Sequence, residues 1–141
     1  MQERDRETNG FPRFYLIIGA ALAGLAVILG AFGAHGLKGI VTPASLTTFE
    51  IGVRYQMYHA LALLLLPALL RYTNSVWLTR SAMCFVVGCL LFSGSLYALA
   101  LTGVKWFGPI TPLGGLFFIF GWSALVVAFV RGGETVRNSH E

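Results

Sequence analysis

FYLIIGAALAGLAVILGAFGA, running from Phe14 to Ala34, decides the fold. The stretch carries no charge and no proline. A bilayer core about 30 Å thick takes about 20 apolar residues as helix. Working outward, three more apolar blocks follow, at Tyr55–Leu70, Val76–Leu101 and Leu113–Val130. The fold class is all-α: an integral membrane four-helix bundle.

Composition agrees. Hydrophobic residues make up 56% of the 141 and charged residues 11%, against about a quarter charged in soluble domains. The length allows one domain. A polar N-terminal tail (1–13) precedes the four-span domain (14–130), and a polar C-terminal tail (131–141) follows. Gly33-Ala34-His35 also reads as a passable cleavage site, although the first apolar run is longer than that of a usual signal sequence.

Ten Lys and Arg stand against six Asp and Glu, a net charge of +4. No basic run occurs, so nucleic acid is not an expected partner; the lipid bilayer is. Arg4, Arg6, Arg13, Arg71, Arg80, Arg131 and Arg137 fall on one side of the spans, and Lys38, Arg54 and Lys105 on the other. That bias predicts both termini in the cytoplasm.

Thr42-Pro43 has the form of a helix start, a hydroxyl N-cap followed by proline at the first helical position. No stop signal follows before Leu70, so this second helix is long, about 42 Å at helical rise. Its first turns, Ala44–Arg54, are expected to extend beyond the hydrocarbon or lie at the interface. Pro67 predicts a kink near its far end. Arg71–Thr79 reads as a polar turn. Thr111-Pro112 repeats the cap-plus-proline start, and Arg131-Gly132-Gly133 reads as the last stop. Gly36–Val41 reads as a loop. In span one, Ala26, Gly30 and Ala34, and likewise Ala20 and Gly24, form ridges of small residues that let helices approach. Trp77 and Trp106 read as interface anchors, whereas Trp122 is deeper and packs internally.

Polar residues gather towards one end. His59 lies twelve residues from Arg71, about 18 Å along the helix, a little past mid-membrane. Gln56, Tyr55 and Arg54 follow, then Glu50 at the edge. Ser93 and Ser95 reach a similar depth on span three, with Tyr97 just beyond, and His35 ends span one. The candidate polar layer is therefore His35, Glu50, Arg54, Tyr55, Gln56, Tyr58, His59, Ser93, Ser95 and Tyr97. Such groups face other helices or a wet cavity, because lipid offers no hydrogen bonds. On the second helix Glu50, Arg54, Tyr58 and Leu61 share one stripe, with Gly52, Tyr55 and His59 roughly opposite. His59 must then find a partner on another helix, with Ser93, Ser95 and Tyr97 as the candidates. Each group also has a plain structural reading. Glu50–Arg54 makes an interfacial ion pair rather than an ion site. His59 is a neutral bridge rather than a proton relay. His35 ends a helix rather than binding metal.

Cys84 and Cys89 sit in the third span without metal or disulfide spacing. No CxxC, HExxH, Walker loop or GxSxG occurs. No cofactor, metal or catalytic residue is expected.

Several motifs together carry a resemblance. Gly30-Ala31-Phe32-Gly33-Ala34-His35-Gly36-Leu37 is followed by Phe49, Gly52 and Tyr55-Gln56-Met57-Tyr58-His59-Ala60-Leu61-Ala62. Leu91-Phe92-Ser93-Gly94-Ser95-Leu96-Tyr97, Gly108-Pro109-Ile110-Thr111-Pro112-Leu113-Gly114-Gly115 and Gly121-Trp122 complete the set. In order and spacing they resemble the family called domain of unknown function 423, over roughly Phe14 to Val130. The resemblance implies a four-helix, multi-pass protein of the bacterial inner membrane and implies no activity.

The reading that fits best is a non-enzymatic structural or accessory membrane component, packing with itself or with a larger membrane partner. The alternatives are a small oligomeric transporter or permease, or a lipid- or quinone-binding protein, using the polar layer. A membrane enzyme acting on a lipid-like substrate comes last, since no nucleophile is paired with a base.

Overall fold

The computed structural model describes residues 11–138 and is built from helices. The expected tails at 1–10 and 139–141 lie outside the described residues. Helix α1 (Arg13–Ala31) runs into one π-helical stretch, Phe32–Leu37. Helix α2 (Pro43–Leu65) tightens into a 3₁₀ segment, Leu66–Arg71. Helix α3 (Ser75–Gly88) passes through a π-helical turn, Cys89–Ser93, into α4 (Gly94–Thr102). A 3₁₀ turn, Lys105–Phe107, leads to α5 (Ile110–Asn138). These make four helical segments long and apolar enough to cross a membrane: Arg13–Leu37, Pro43–Arg71, Ser75–Thr102 and Lys105–Gly132.

Local sequence explains most of the boundaries. Thr42 caps α2 as expected, its hydroxyl accepting from the Ser45 amide at 3.1 Å. Pro67 converts the helix rather than simply kinking it: α-geometry ends at Leu65 and 3₁₀ geometry carries the chain past the missing amide. Gly103, at φ +68°, ends α4 with its amide on the Leu99 carbonyl, a left-handed cap that glycine adopts without a Cβ clash.

Several expected boundaries move. Asn74 caps α3 by accepting from the Trp77 amide at 3.3 Å, so the polar turn is far shorter than Arg71–Thr79. Span one does not end at Ala34, because the π-helical stretch carries it through Gly36 to Leu37. Thr111 is not a cap: α5 already starts at Ile110, after a turn at Gly108-Pro109 whose Gly108 carbonyl accepts from the Thr111 amide at 3.3 Å. Arg131-Gly132-Gly133 does not stop α5, which continues to Asn138. A glycine costs a helix about 1 kcal/mol relative to alanine, but it ends one only when the backbone turns left-handed. Phe11, assigned to the polar tail, is buried in the core.

Span one packs mainly along span two, α3 packs along α5, and α4 with its π turn packs against α2 and α5. The largest apolar cluster includes Leu63, Leu66, Leu78, Phe85, Phe118 and Leu125. The small-residue edge of span one is not Ala20–Gly24, which is exposed. It is Gly19, Ala26, Gly30 and Gly33: a Cβ on Gly19 would stand 3.0 Å from the Leu63 Cβ, and Ala26 is 1% exposed.

Candidate functional site

The buried face of α2 organises the polar layer. Gly52, Gln56 and His59 are buried, while Glu50, Arg54, Tyr58 and Leu61 form an exposed stripe. Helical spacing sets Gly52 and His59 apart from the exposed stripe as the sequence predicts, but Tyr55, expected on their face, is exposed. Its ring lies 4.7 Å from that of Phe92.

His59 finds its partner on span four, not on span three. Its Nδ1 lies 2.7 Å from the Tyr55 carbonyl, and the Trp122 indole N–H donates to its Nε2 at 3.1 Å. A carbonyl only accepts and an indole N–H only donates. The pair therefore fits one neutral tautomer, with the proton on Nδ1. The imidazole stacks on Phe118 with centroids 3.6 Å apart and planes 7° from parallel, and Phe85 borders it at 5.2 Å.

The three expected partners of His59 are engaged elsewhere. Ser93 donates to the Gly52 carbonyl at 2.7 Å. Ser95 donates to the Phe92 carbonyl at 3.0 Å and meets the Thr111 hydroxyl at 2.6 Å. With the Ser95 proton on that carbonyl, Thr111 is the donor in the second bond. Tyr97 donates to Gln56 Oε1 at 2.7 Å, and Gln56 Nε2 donates to the Leu22 carbonyl at 2.8 Å. Gln56 thus ties span one to span three through a residue of span two. The π-helical turn Cys89–Ser93 contributes to this arrangement. An extra residue in a helical turn rotates everything after it, and Ser93, Ser95 and Tyr97 lie at or beyond that point.

Glycines allow the close approach. A Cβ on Gly52 would stand 2.8 Å from the Tyr97 ring, and one on Gly114 would collide with the backbone of Phe92. Close backbones put carbonyls within reach of short hydroxyls, as Gly52 is for Ser93.

The remaining expected residues stay outside the cluster. Glu50 and Arg54 are 3.9 Å apart and about half exposed. A side cavity of about 150 Å³ beside them is lined by Gly30, Gly33, Phe49, Glu50, Val53 and Arg54. Tyr58 is exposed and touches only the Tyr55 ring among the described aromatic contacts. His35 is exposed in the first π-helical stretch. Three participants were not among the expected layer: Trp122, Thr111 and Ser81, whose hydroxyl donates to the Gly121 carbonyl at 2.9 Å. Trp122, expected to pack internally, is 46% exposed: its indole N–H turns in to His59 while the rest of the ring lies at the bundle surface, and only a knowledge of which spans adjoin would have paired the two.

Among the described residues, no three His, Cys, Asp or Glu side chains gather as a metal set. Every buried side-chain nitrogen or oxygen among them has a hydrogen-bond partner within the protein. The buried part of the layer is satisfied by hydrogen bonds across helices, with two more to carbonyls of the same span.

Residues 29–115 match the family model described as "Protein of unknown function (DUF423)". The chain is similar to UPF0382 membrane protein YwdK of Bacillus subtilis, 44% identical over 120 residues that cover 84% of this chain and 98% of that one. It is also similar to UPF0382 inner membrane protein YgdD of Escherichia coli K12, 38% identical over 119 residues, covering 84% and 91%. UPF0382 membrane protein SAB0533 of Staphylococcus aureus is 44% identical over 116 residues, covering 82% and 94%. No solved structure matches.

Proposed function

From the premise that this chain belongs to the DUF423 family of membrane proteins, we propose that it serves the inner membrane as a non-enzymatic structural or accessory component. It works by packing with copies of itself or with a larger membrane partner. The observation that carries this reading is the closed polar layer. His59, Gln56, Ser93, Ser95 and Tyr97 each make a hydrogen bond to a neighbouring helix, and His59 and Ser95 make a second one to a carbonyl of their own span. A transport pathway or a catalytic site needs donors and acceptors turned towards a substrate; here the buried ones are turned towards each other. The name of the Escherichia coli relative supports placement in the inner membrane.

Both termini are cytoplasmic in this reading, supported by the bias of basic residues and by an even number of spans. A phosphatase-active fusion at Gly39 and a fluorescent one at Glu141 are expected. A fluorescent, phosphatase-negative Gly39 fusion would refute the orientation.

The functional test is extraction of the full chain from membranes in mild detergent, with its mass determined directly. A species larger than one 15.3 kDa chain, either a homo-oligomer or a defined complex, is expected. A monomer without a partner overturns the proposal. So does solute flux in proteoliposomes that is lost in His59→Ala, which would favour the transport reading.

A further inference from the structure

The end of the bundle away from the polar layer holds a cavity that the proposed function does not use. It measures about 350 Å³ and is lined by Leu70, Arg71, Tyr72, Thr73, Asn74, Arg131 and Gly132. That volume falls at the lower end of small-ligand sites, about 300–1,000 Å³. The turn between spans two and three forms one wall and the end of span four the other. Gly132 makes this possible, since a Cβ there would collide with the Tyr72 carbonyl.

The lining has a definite chemistry. Two guanidiniums, two hydroxyls and an amide belong to the described residues that line the space. A third guanidinium lies next door: Arg80 and Arg131 both lie over the Trp77 ring, at 4.9 and 5.3 Å from its centroid. Arg71 stands over Tyr72 at 5.4 Å, and among the described residues its guanidinium makes one hydrogen bond, a long one of 3.5 Å from Nε to the Ala68 carbonyl. The planar fork of arginine matches phosphate oxygens two at a time.

Position decides which phosphate. The cavity opens where the apolar spans end, the depth at which headgroups lie, and tryptophan and tyrosine flank it as they flank membrane interfaces. Exposed apolar side chains of adjoining turns, Val76 and Val130 among them, offer a wall for acyl chains. Basic pockets between helices at this depth suit anionic lipid headgroups.

We propose that this cavity binds the phosphate-bearing headgroup of an anionic phospholipid, held by Arg71 and Arg131 with Thr73 and Asn74 as neutral hydrogen-bonding groups.

The test uses the full chain, purified and delipidated, with retained lipid counted by native mass spectrometry. Phosphatidylglycerol is expected to bind in preference to phosphatidylcholine. Arg71→Gln should weaken phosphatidylglycerol by about tenfold, roughly the worth of a hydrogen bond to a charged group. Lys105→Gln removes the same charge at the other end and should leave binding unchanged. Equal binding of the two lipids, unaltered binding in Arg71→Gln, or the same loss in Lys105→Gln overturns the proposal. Displacement of the lipid by millimolar inorganic phosphate overturns the lipid source and assigns the pocket to the free anion. The preference of the unsubstituted chain is measured first, so the proposal stays testable if a variant does not fold.

Discussion

Span one and span three resemble each other in sequence and behave differently in the bundle. They contain 25 and 28 residues, with mean hydropathy 2.4 and 2.1. Yet 17% of the apolar stretch of span one is buried, against 39% for span three. Span one gives the polar layer one backbone carbonyl, that of Leu22. Span three gives Ser81, Ser93, Ser95 and Tyr97, each hydrogen-bonded to a neighbouring helix or its own. In lipid, apolarity does not separate a peripheral helix from a central one, because both neighbours are oily. Hydroxyl content and glycine contacts do.

The largest expected effect comes from glycines that face the two spans differently. A Cβ on Gly114 would run into the Phe92 backbone on span three, where no side chain can swing away. Gly114→Ala should destabilise the protein by about 1–3 kcal/mol, the usual cost of overpacking. Gly24 on span one has nothing within 4 Å of such a Cβ. Gly24→Ala should be neutral or should stabilise by up to about 1 kcal/mol through helix propensity. Unfolding by SDS in mixed micelles measures both. Similar losses in the two variants would erase the distinction between the spans.

Gln56 touches both spans at once and so sharpens the comparison. Tyr97→Phe leaves its Oε1 without the phenol and should cost about 1 kcal/mol. Gln56→Leu strands the Tyr97 hydroxyl and also releases Leu22, so it should cost more. The double variant should cost less than the two single ones added together, with a coupling of about 0.6–1.7 kcal/mol, the range found for such bonds in membranes. Additive losses would mean that the 2.7 Å bond contributes nothing beyond its geometry.

Residues that were legible in the sequence are those whose neighbours lie within a few positions. The four spans follow from apolar length. The Thr42 cap, and the division of α2 into an exposed stripe and a buried one, Tyr55 apart, follow from helical spacing. Pairings across helices did not follow. His59 and Trp122 are 63 positions apart, and their meeting depends on which spans adjoin. The π-helical turn at Cys89–Ser93 has no proline or other marker, yet it lies just before Ser95 and Tyr97. Thr111-Pro112 copies the pattern of Thr42-Pro43, but the helix after the Lys105–Phe107 turn begins at Ile110, two residues before Pro112. The Thr111 hydroxyl then goes to Ser95 instead of to a cap.

The smallest effect belongs to the pair that stands out most in the sequence. Glu50 and Arg54 carry opposite charges one helical turn apart on span two, but they are 3.9 Å apart and about half exposed. Water or headgroups at the membrane edge screen such a pair, and exposed i,i+4 pairs contribute about 0.3–0.5 kcal/mol. Glu50→Gln should therefore change SDS unfolding by no more than about 0.5 kcal/mol, well below Tyr97→Phe on the same assay. A loss larger than that of Tyr97→Phe would show that Glu50 holds the bundle through a contact other than Arg54, and the boundary between tied and exposed groups on span two would have to move outward by a turn.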